Sequence, residues 1–229
     1  MSDYIIFNAI IKIGGSLANK KEGFTNLCHY LKKLYDDYKF IIVPGGGVFA
    51  DQVRSIDKEF NLDKSQSHFM AIFSESLFGY LIYTKLSNSK LVSKIDSLYD
   101  SEKYFDSIPI LLPFKYFIDK DPLPHTWKVT SDSIAYYLGQ ILGIEKVILV
   151  KDVDGLYTKN PMEYPDIKLI KKISATELSK IEEDTCVDKH LSKLIKKYKK
   201  SCYLVNGFHP KRIRNILKDI STVSTLIYE

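Results

Sequence analysis

Residues 40–52 read Phe-Ile-Ile-Val-Pro-Gly-Gly-Gly-Val-Phe-Ala-Asp-Gln: an apolar β-branched run, three consecutive glycines, then residues that open a helical period. A strand that ends in glycine and turns at once into a helix is the repeating unit of an α/β fold with a parallel sheet. One glycine suffices for a turn at positive φ. Three let backbone N–H groups approach an anion with no Cβ in the way, and the helix N-terminus behind them adds partial positive charge. The pattern has an upstream counterpart in Ile10-Ile11-Lys12-Ile13-Gly14-Gly15-Ser16. Two such turns imply two anionic groups to hold.

Working outward, β-branched runs alternate with helix-period stretches along nearly the whole chain. Strands are expected at Ile5–Ile13, Phe40–Val43, Ile108–Leu112, Lys146–Val150, Tyr203–Val205 and Thr225–Tyr228. Helices are expected at Thr25–Tyr35, Val48–Phe60, Ser65–Leu86, Ser131–Leu142, Ala175–Ile181, Lys189–Lys199 and Pro210–Leu217; Ser87–Ser107 is ambiguous. Proline marks loops at Asp121-Pro122-Leu123-Pro124 and from Asn160-Pro161 to Tyr164-Pro165. The first is the expected seam between two lobes sharing one sheet.

The chain has 229 residues, 45% of them hydrophobic and 27% charged, enough for one sizeable core and too few for two full-sized domains. Its apolar runs are far shorter than the roughly 20 residues of a membrane span, and Met1-Ser2-Asp3-Tyr4 lacks the basic start of an export signal. A cytoplasmic protein with no membrane partner is expected. Cys28, Cys186 and Cys202 have no metal-ligand spacing and read as reduced thiols. Net charge is +5, but six lysines lie between Lys189 and Lys200, where Leu191, Leu194, Ile195 and Tyr198 make one buried helix face. Those lysines are its solvated side, and no basic-aromatic interleaving points to nucleic acid.

The familiar phosphate signatures fail: there is no P-loop, no H-R-D and no D-F-G. Gly45-Gly46-Gly47-Val48-Phe49-Ala50 formally matches a dinucleotide fingerprint, but no second apolar strand ending in an acid follows it. Lys12 sits inside an apolar strand two residues before Gly14, where an ammonium needs an anion to meet. Lys151-Asp152-Val153-Asp154-Gly155-Leu156-Tyr157 follows another strand, and Thr130-Ser131-Asp132 opens a helix, where Asp132 also reads as a capping residue.

Together, Lys-Ile-Gly-Gly-Ser at 12–16, Pro-Gly-Gly-Gly at 44–47, Thr-Ser-Asp-Ser at 130–133 and Asp-Val-Asp-Gly-Leu-Tyr-Thr-Lys-Asn-Pro at 152–161 resemble the amino acid kinase superfamily. The resemblance implies a three-layer α/β/α sandwich with an open, mostly parallel sheet. It also implies a single domain over 1–229, with an acceptor-binding N-lobe (about 1–121) and an ATP-binding C-lobe (about 122–229). ATP and Mg²⁺ are implied, the metal without assigned ligands, as are a small phosphorylated acceptor and a homo-oligomer. Lys12 and Asp132 match its catalytic residues. Lys193 takes the place of its second catalytic lysine, because Asp188-Lys189-His190-Leu191-Ser192-Lys193 occupies that region without the usual Gly-Gly-Met. Gly14, Gly15, Ser16, Lys151, Asp152, Asp154, Gly155 and Tyr157 match its ATP-binding segments. Gly45, Gly46 and Gly47 would hold the acceptor. Arg54 reads equally as a grip on the acceptor phosphate and as an exposed helix arginine, while His68, His125 and Trp127 would line the pocket, Trp127 also reading as core. The segments at 43–54, 68–71 and 125–132 are most similar to archaeal kinases of methanofuran biosynthesis, which implies [5-(aminomethyl)furan-3-yl]methyl phosphate as acceptor. UMP or another small monophosphate, and a nucleotide-binding storage or regulatory role, are the alternatives.

Overall fold

The computed structural model describes residues 7–158, 164, 167–181 and 185–229. Its strands are β1 (Ala9–Ile13), β2 (Phe40–Pro44), β3 (Ser89–Val92), β4 (Ile108–Leu111), β5 (Lys146–Lys151), β6 (Leu156–Tyr157), β7 (Leu169–Ile170), β8 (Lys172–Ser174), β9 (Cys202–Asn206) and β10 (Thr225–Tyr228). The α-helices are α1 (Lys21–Asp37), α2 (Gly47–Phe60), α3 (Lys64–Lys85), α4 (Phe114–Lys120), α5 (Ser131–Ile141), α6 (Ala175–Leu178), α7 (Leu191–Tyr198) and α8 (Lys211–Leu217). Eight strands form one sheet in the order β3-β4-β2-β1-β5-β9-β10-β8, parallel except for the β9–β10 pair, and β6 and β7 form a separate antiparallel pair.

Every residue of β1 and β2 is buried, as expected of strands covered on both faces. Alternation divides their side chains. Ala9, Ile11 and Ile13 pack with Leu27 and Leu31 of α1 and Ile213 of α8, whereas Ile10, Val147 and Leu149 pack with Ile134 and Leu138 of α5 and Leu191 of α7. Helices on both faces of an open, mostly parallel sheet make the expected three-layer α/β/α sandwich. The two halves of the sheet meet where β1 pairs with β5, Lys12 beside Leu149. Among the described residues no helix is long and apolar enough to cross a membrane.

The differences from expectation are local. The first strand begins at Ala9: residues 5–6 lie outside the described residues, and Asn8 instead bonds across to Lys39 through its backbone and side chain. The ambiguous stretch holds β3 and two 3-10 turns, Ile95–Tyr99 and Ser101–Tyr104. The β6, β7 and β8 segments have two or three residues each, too short for a visible period. Helix α4 was not expected, and α6 ends at Leu178 instead of Ile181. Helix α7 begins at Leu191 instead of Lys189, because Asp188 accepts hydrogen bonds from the N–H groups of His190 and Leu191 and holds the residues between in a turn.

Candidate active site

Strand parity builds the centre. Lys12 shares the α5-facing side of β1 with Ile10, and Lys151, two residues beyond Leu149, faces the same way from the neighbouring strand β5. The second residue of α5, Asp132, comes down between them. Lys12 Nζ lies 2.8 Å from Asp132 Oδ1 and Lys151 Nζ 2.6 Å from Asp132 Oδ2. Lys12 and Asp132 are buried, and the Lys151 side chain keeps 13% exposure.

Burial alone would raise the Asp132 carboxyl, but the two ammonium groups override it and hold it at about 2. For Lys12, burial dominates and, with repulsion from Lys151, lowers its pKa despite Asp132. Lys151 is raised, because there the attraction of Asp132 outweighs burial. One carboxylate facing two ammonium groups leaves an excess of positive charge at the carboxyl ends of two parallel strands, where open α/β sheets bind ligands. That excess calls for an anion.

The two glycine turns meet each other, the first of them against Lys151. A Cβ on Gly15 would lie 2.1 Å from Gly47 Cα, and Gly47 has φ of 55°, so neither position accepts a side chain without displacement of the backbone. Gly14 and Gly45 do not serve as anion donors: their N–H groups bond to Val150 O at 2.8 Å and Ile13 O at 2.9 Å, closing the ends of the sheet. Gly15, Gly46 and Gly47 instead line a cavity of about 230 Å³ at the N-terminus of α2, which no side chain caps. Ser16, expected with the nucleotide, lines this cavity too.

Arg54 stands on the rim of this cavity and of a second one, of about 830 Å³, walled also by Asp132, Lys151 and Asp188. Its guanidinium donates to Asp51 Oδ1 at 2.8 Å and sits 4.8 Å from the centre of the Trp127 ring, whose Nε1–H donates to Asp57 Oδ2 at 2.6 Å. Trp127 is therefore a partition clamped to α2 and not part of the core. His68 lines the first cavity and stacks on His125, ring centres 4.4 Å apart. Burial, reinforced by His125, pushes His68 down to about 4. His125 stands behind the wall, bonded to Ser65 Oγ and Asp121 Oδ1.

Lys193 is exposed on the outer side of α7, away from the buried Leu191, Leu194 and Ile195, and lines neither cavity. The partner that Asp132 receives besides Lys12 is Lys151. Asp152 is exposed; Asp154 is bound by Asn206 and Arg212, which outweigh partial burial and lower its pKa. Gly155 is buried against Thr225, and Tyr157 lies in β6. Residues 159–161 of the resembling segment lie outside the described residues.

Two residues absent from the sequence-based set complete the site. Asp188 accepts hydrogen bonds from the N–H and Oγ of both Thr130 and Ser133, and from the N–H groups of His190 and Leu191, tying α5 to α7. Glu75 of α3 is 4% exposed in the wall of the first cavity, and its Oε2 has no hydrogen-bond partner. Among the described residues, His68, Asp121 and His125 also bring potential metal-ligand atoms within 4.8 Å of one another. That nitrogen-rich set does not suit Mg²⁺, which takes oxygen ligands.

The amino acid kinase family profile matches residues 9–206. A [5-(aminomethyl)furan-3-yl]methyl phosphate kinase of Methanocaldococcus jannaschii is 37% identical over 95% of this chain and 96% of its own length. A uridylate kinase of the same organism is 25% identical over 92% and 95%. The solved uridylate kinase of Archaeoglobus fulgidus superposes with a TM-score of 0.73 at 18% identity, over 96% of this chain and all of its own. With motifs, sheet order and nearly full-length similarity in agreement, the chain belongs to the amino acid kinase family.

Proposed function

We propose that this chain is an ATP-dependent phosphotransferase that converts [5-(aminomethyl)furan-3-yl]methyl phosphate to its diphosphate. The observation that carries the reading is the buried Lys12–Asp132–Lys151 cluster, with its excess positive charge, whose Asp132 and Lys151 line the larger of two cavities that share Arg54, Trp127 and Thr130. The nearly full-length similarity to a kinase of that name supports the acceptor.

In this mechanism the acceptor occupies the smaller cavity and ATP the larger. An acceptor phosphate oxygen attacks the γ-phosphorus; the new O–P bond forms as the bond to the β,γ-bridging oxygen breaks, and ADP leaves. The nucleophile is already anionic, so no general base is needed and the task is positioning and charge stabilisation. Lys12 and Lys151 neutralise charge on the transferring group, and Asp132 fixes both ammonium groups. The N–H groups of Gly15, Gly46 and Gly47 and the start of α2 hold acceptor phosphate. Arg54 joins them by leaving Asp51.

Mg²⁺ would neutralise phosphate charge when bound. The carboxylates facing the larger cavity are already engaged, Asp132 by two lysines, Asp188 by six donors and Asp57 by Trp127. The ion therefore fits as a companion of the nucleotide, ligated mainly by phosphate oxygens and water. The reading includes a cytoplasmic homo-oligomer, and an apolar groove lined by Phe69, Met70, Phe73, Leu77, Phe114 and Ile118 offers a contact surface.

The test is ³¹P NMR of product mixtures with Mg-ATP and either the furan phosphate or UMP. A diphosphate from the furan compound is expected. Turnover of UMP alone would replace the acceptor, and nucleotide binding without transfer to either would favour a storage or regulatory role.

A further inference from the structure

The wall of the smaller cavity is charged unevenly. Of its two acids, Asp51 is 68% exposed in its side chain and already paired with Arg54. Glu75 is 4% exposed, and its Oε2 is enclosed with no hydrogen-bond partner. The nearby basic side chains are otherwise engaged, Lys12 and Lys151 by Asp132 and Arg54 by Asp51. His68, the other titratable group in the wall, is held neutral near pH 7 by burial beside His125. A buried carboxyl oxygen without a partner costs free energy, so its placement against a cavity points to a ligand that completes it.

We infer that Glu75 is the subsite for a cationic ammonium group on the phosphorylated acceptor, so that this cavity recognises a small molecule carrying an amine as well as a phosphate. The inference rests on the acceptor-binding role proposed above for this cavity. Its wall offers the complementary pair: N–H groups at Gly46 and Gly47 for the anionic end, and Glu75 for the cationic end. Burial raises the Glu75 carboxyl well above the ordinary carboxylate range, against the opposing pull of Lys12. In the empty cavity it is therefore biased toward the neutral acid, and an arriving ammonium favours the carboxylate, the displaced proton leaving to solvent. A compound with the phosphate but no amine cannot make this exchange.

The experiment compares two acceptors, [5-(aminomethyl)furan-3-yl]methyl phosphate and its analogue with a methyl group in place of the aminomethyl. Wild-type enzyme should prefer the amine in kcat/KM by roughly 10- to 100-fold, the scale of one hydrogen bond to a charged group. Glu75→Gln should remove most of that preference by lowering kcat/KM for the amine, leaving the methyl compound within about threefold and the KM for ATP unchanged. Equal use of both compounds by the wild type would overturn the subsite and leave the kinase reading standing. So would a Gln variant that loses both compounds alike. Failure of the wild type to use either compound would overturn the proposed acceptor, and the subsite with it. The wild-type comparison decides even if the variant does not fold.

Discussion

Two acids, Asp132 and Glu75, are both buried but oppositely finished. At the centre, Asp132 meets two lysines at 2.8 and 2.6 Å, and its acid is held at about 2. On the wall of the smaller cavity, Glu75 has no ion pair among the described residues, and burial pushes its acid upward. On the proposed function, the contrast separates two tasks. Groups that stabilise a transition state gain from being positioned before substrate arrives, whereas a group that selects a ligand leaves its valence for that ligand to fill.

The largest effect should come from breaking the finished side. Asp132→Ala strands two buried ammonium groups and should lower the unfolding free energy by about 3–5 kcal/mol, measured by urea denaturation, with loss of transfer activity. Retention of wild-type stability would show that the lysines do not depend on Asp132. Next in size is the choice of lysine. Lys151→Ala should reduce kcat roughly 10²-fold in steady-state assays, the scale of losing one transition-state contact, while Lys193→Ala should stay within about twofold of wild type. The reverse order would return the role to α7.

The two acids should also respond to pH with opposite signs. Asp132 is depressed from 3.8 to about 2, so its stabilisation is fully present above about pH 4 and is lost as pH falls toward 2. Glu75 is raised above 4.5, so the folded state retains its proton longer than the unfolded chain, and its contribution declines as pH rises through the region above 4.5. The groups acting on it are Lys12, Asp132 and Asp188. Thermal midpoints against pH should therefore decline less on the alkaline side in Glu75→Gln, with the acid limb set by Asp132 unchanged; identical profiles would count against the raised acid. The smallest effect is expected at the partition. Trp127→Phe keeps a ring under Arg54 but removes the bond to Asp57, and should raise the acceptor KM roughly 3- to 10-fold with little change in kcat, about 1 kcal/mol in binding. An unchanged acceptor KM would make Trp127 a bystander.

Much of the finished side was legible in sequence, because strand, glycine turn and helix start follow one another locally. Lys12 precedes Gly14, and Asp132 opens a helix. Lys151 was expected with the nucleotide but not as the partner of Asp132, because only the register of β1 on β5 sets it on one face with Lys12. Asp188 was hidden for a different reason. Its bonds to Thr130 and Ser133 span 58 and 55 residues, and no local pattern encodes them. Lys193 drew the catalytic role by its place in the chain, but the apolar stripe of α7 turns it outward. Glu75 could have been found, since it falls on the stripe Ile72, Glu75, Phe78, Ile82, where an acid interrupts buried apolar residues at helical spacing.

The most direct test of the finished centre is single-turnover transfer from ATP to the furan phosphate by Lys12→Ala, with both ligands saturating and folding checked by circular dichroism. If Lys12 acts on the transferring group and not on the stability of the sheet alone, the rate constant falls at least roughly 10²-fold below wild type. A folded variant that transfers phosphate at close to the wild-type rate would contradict that role.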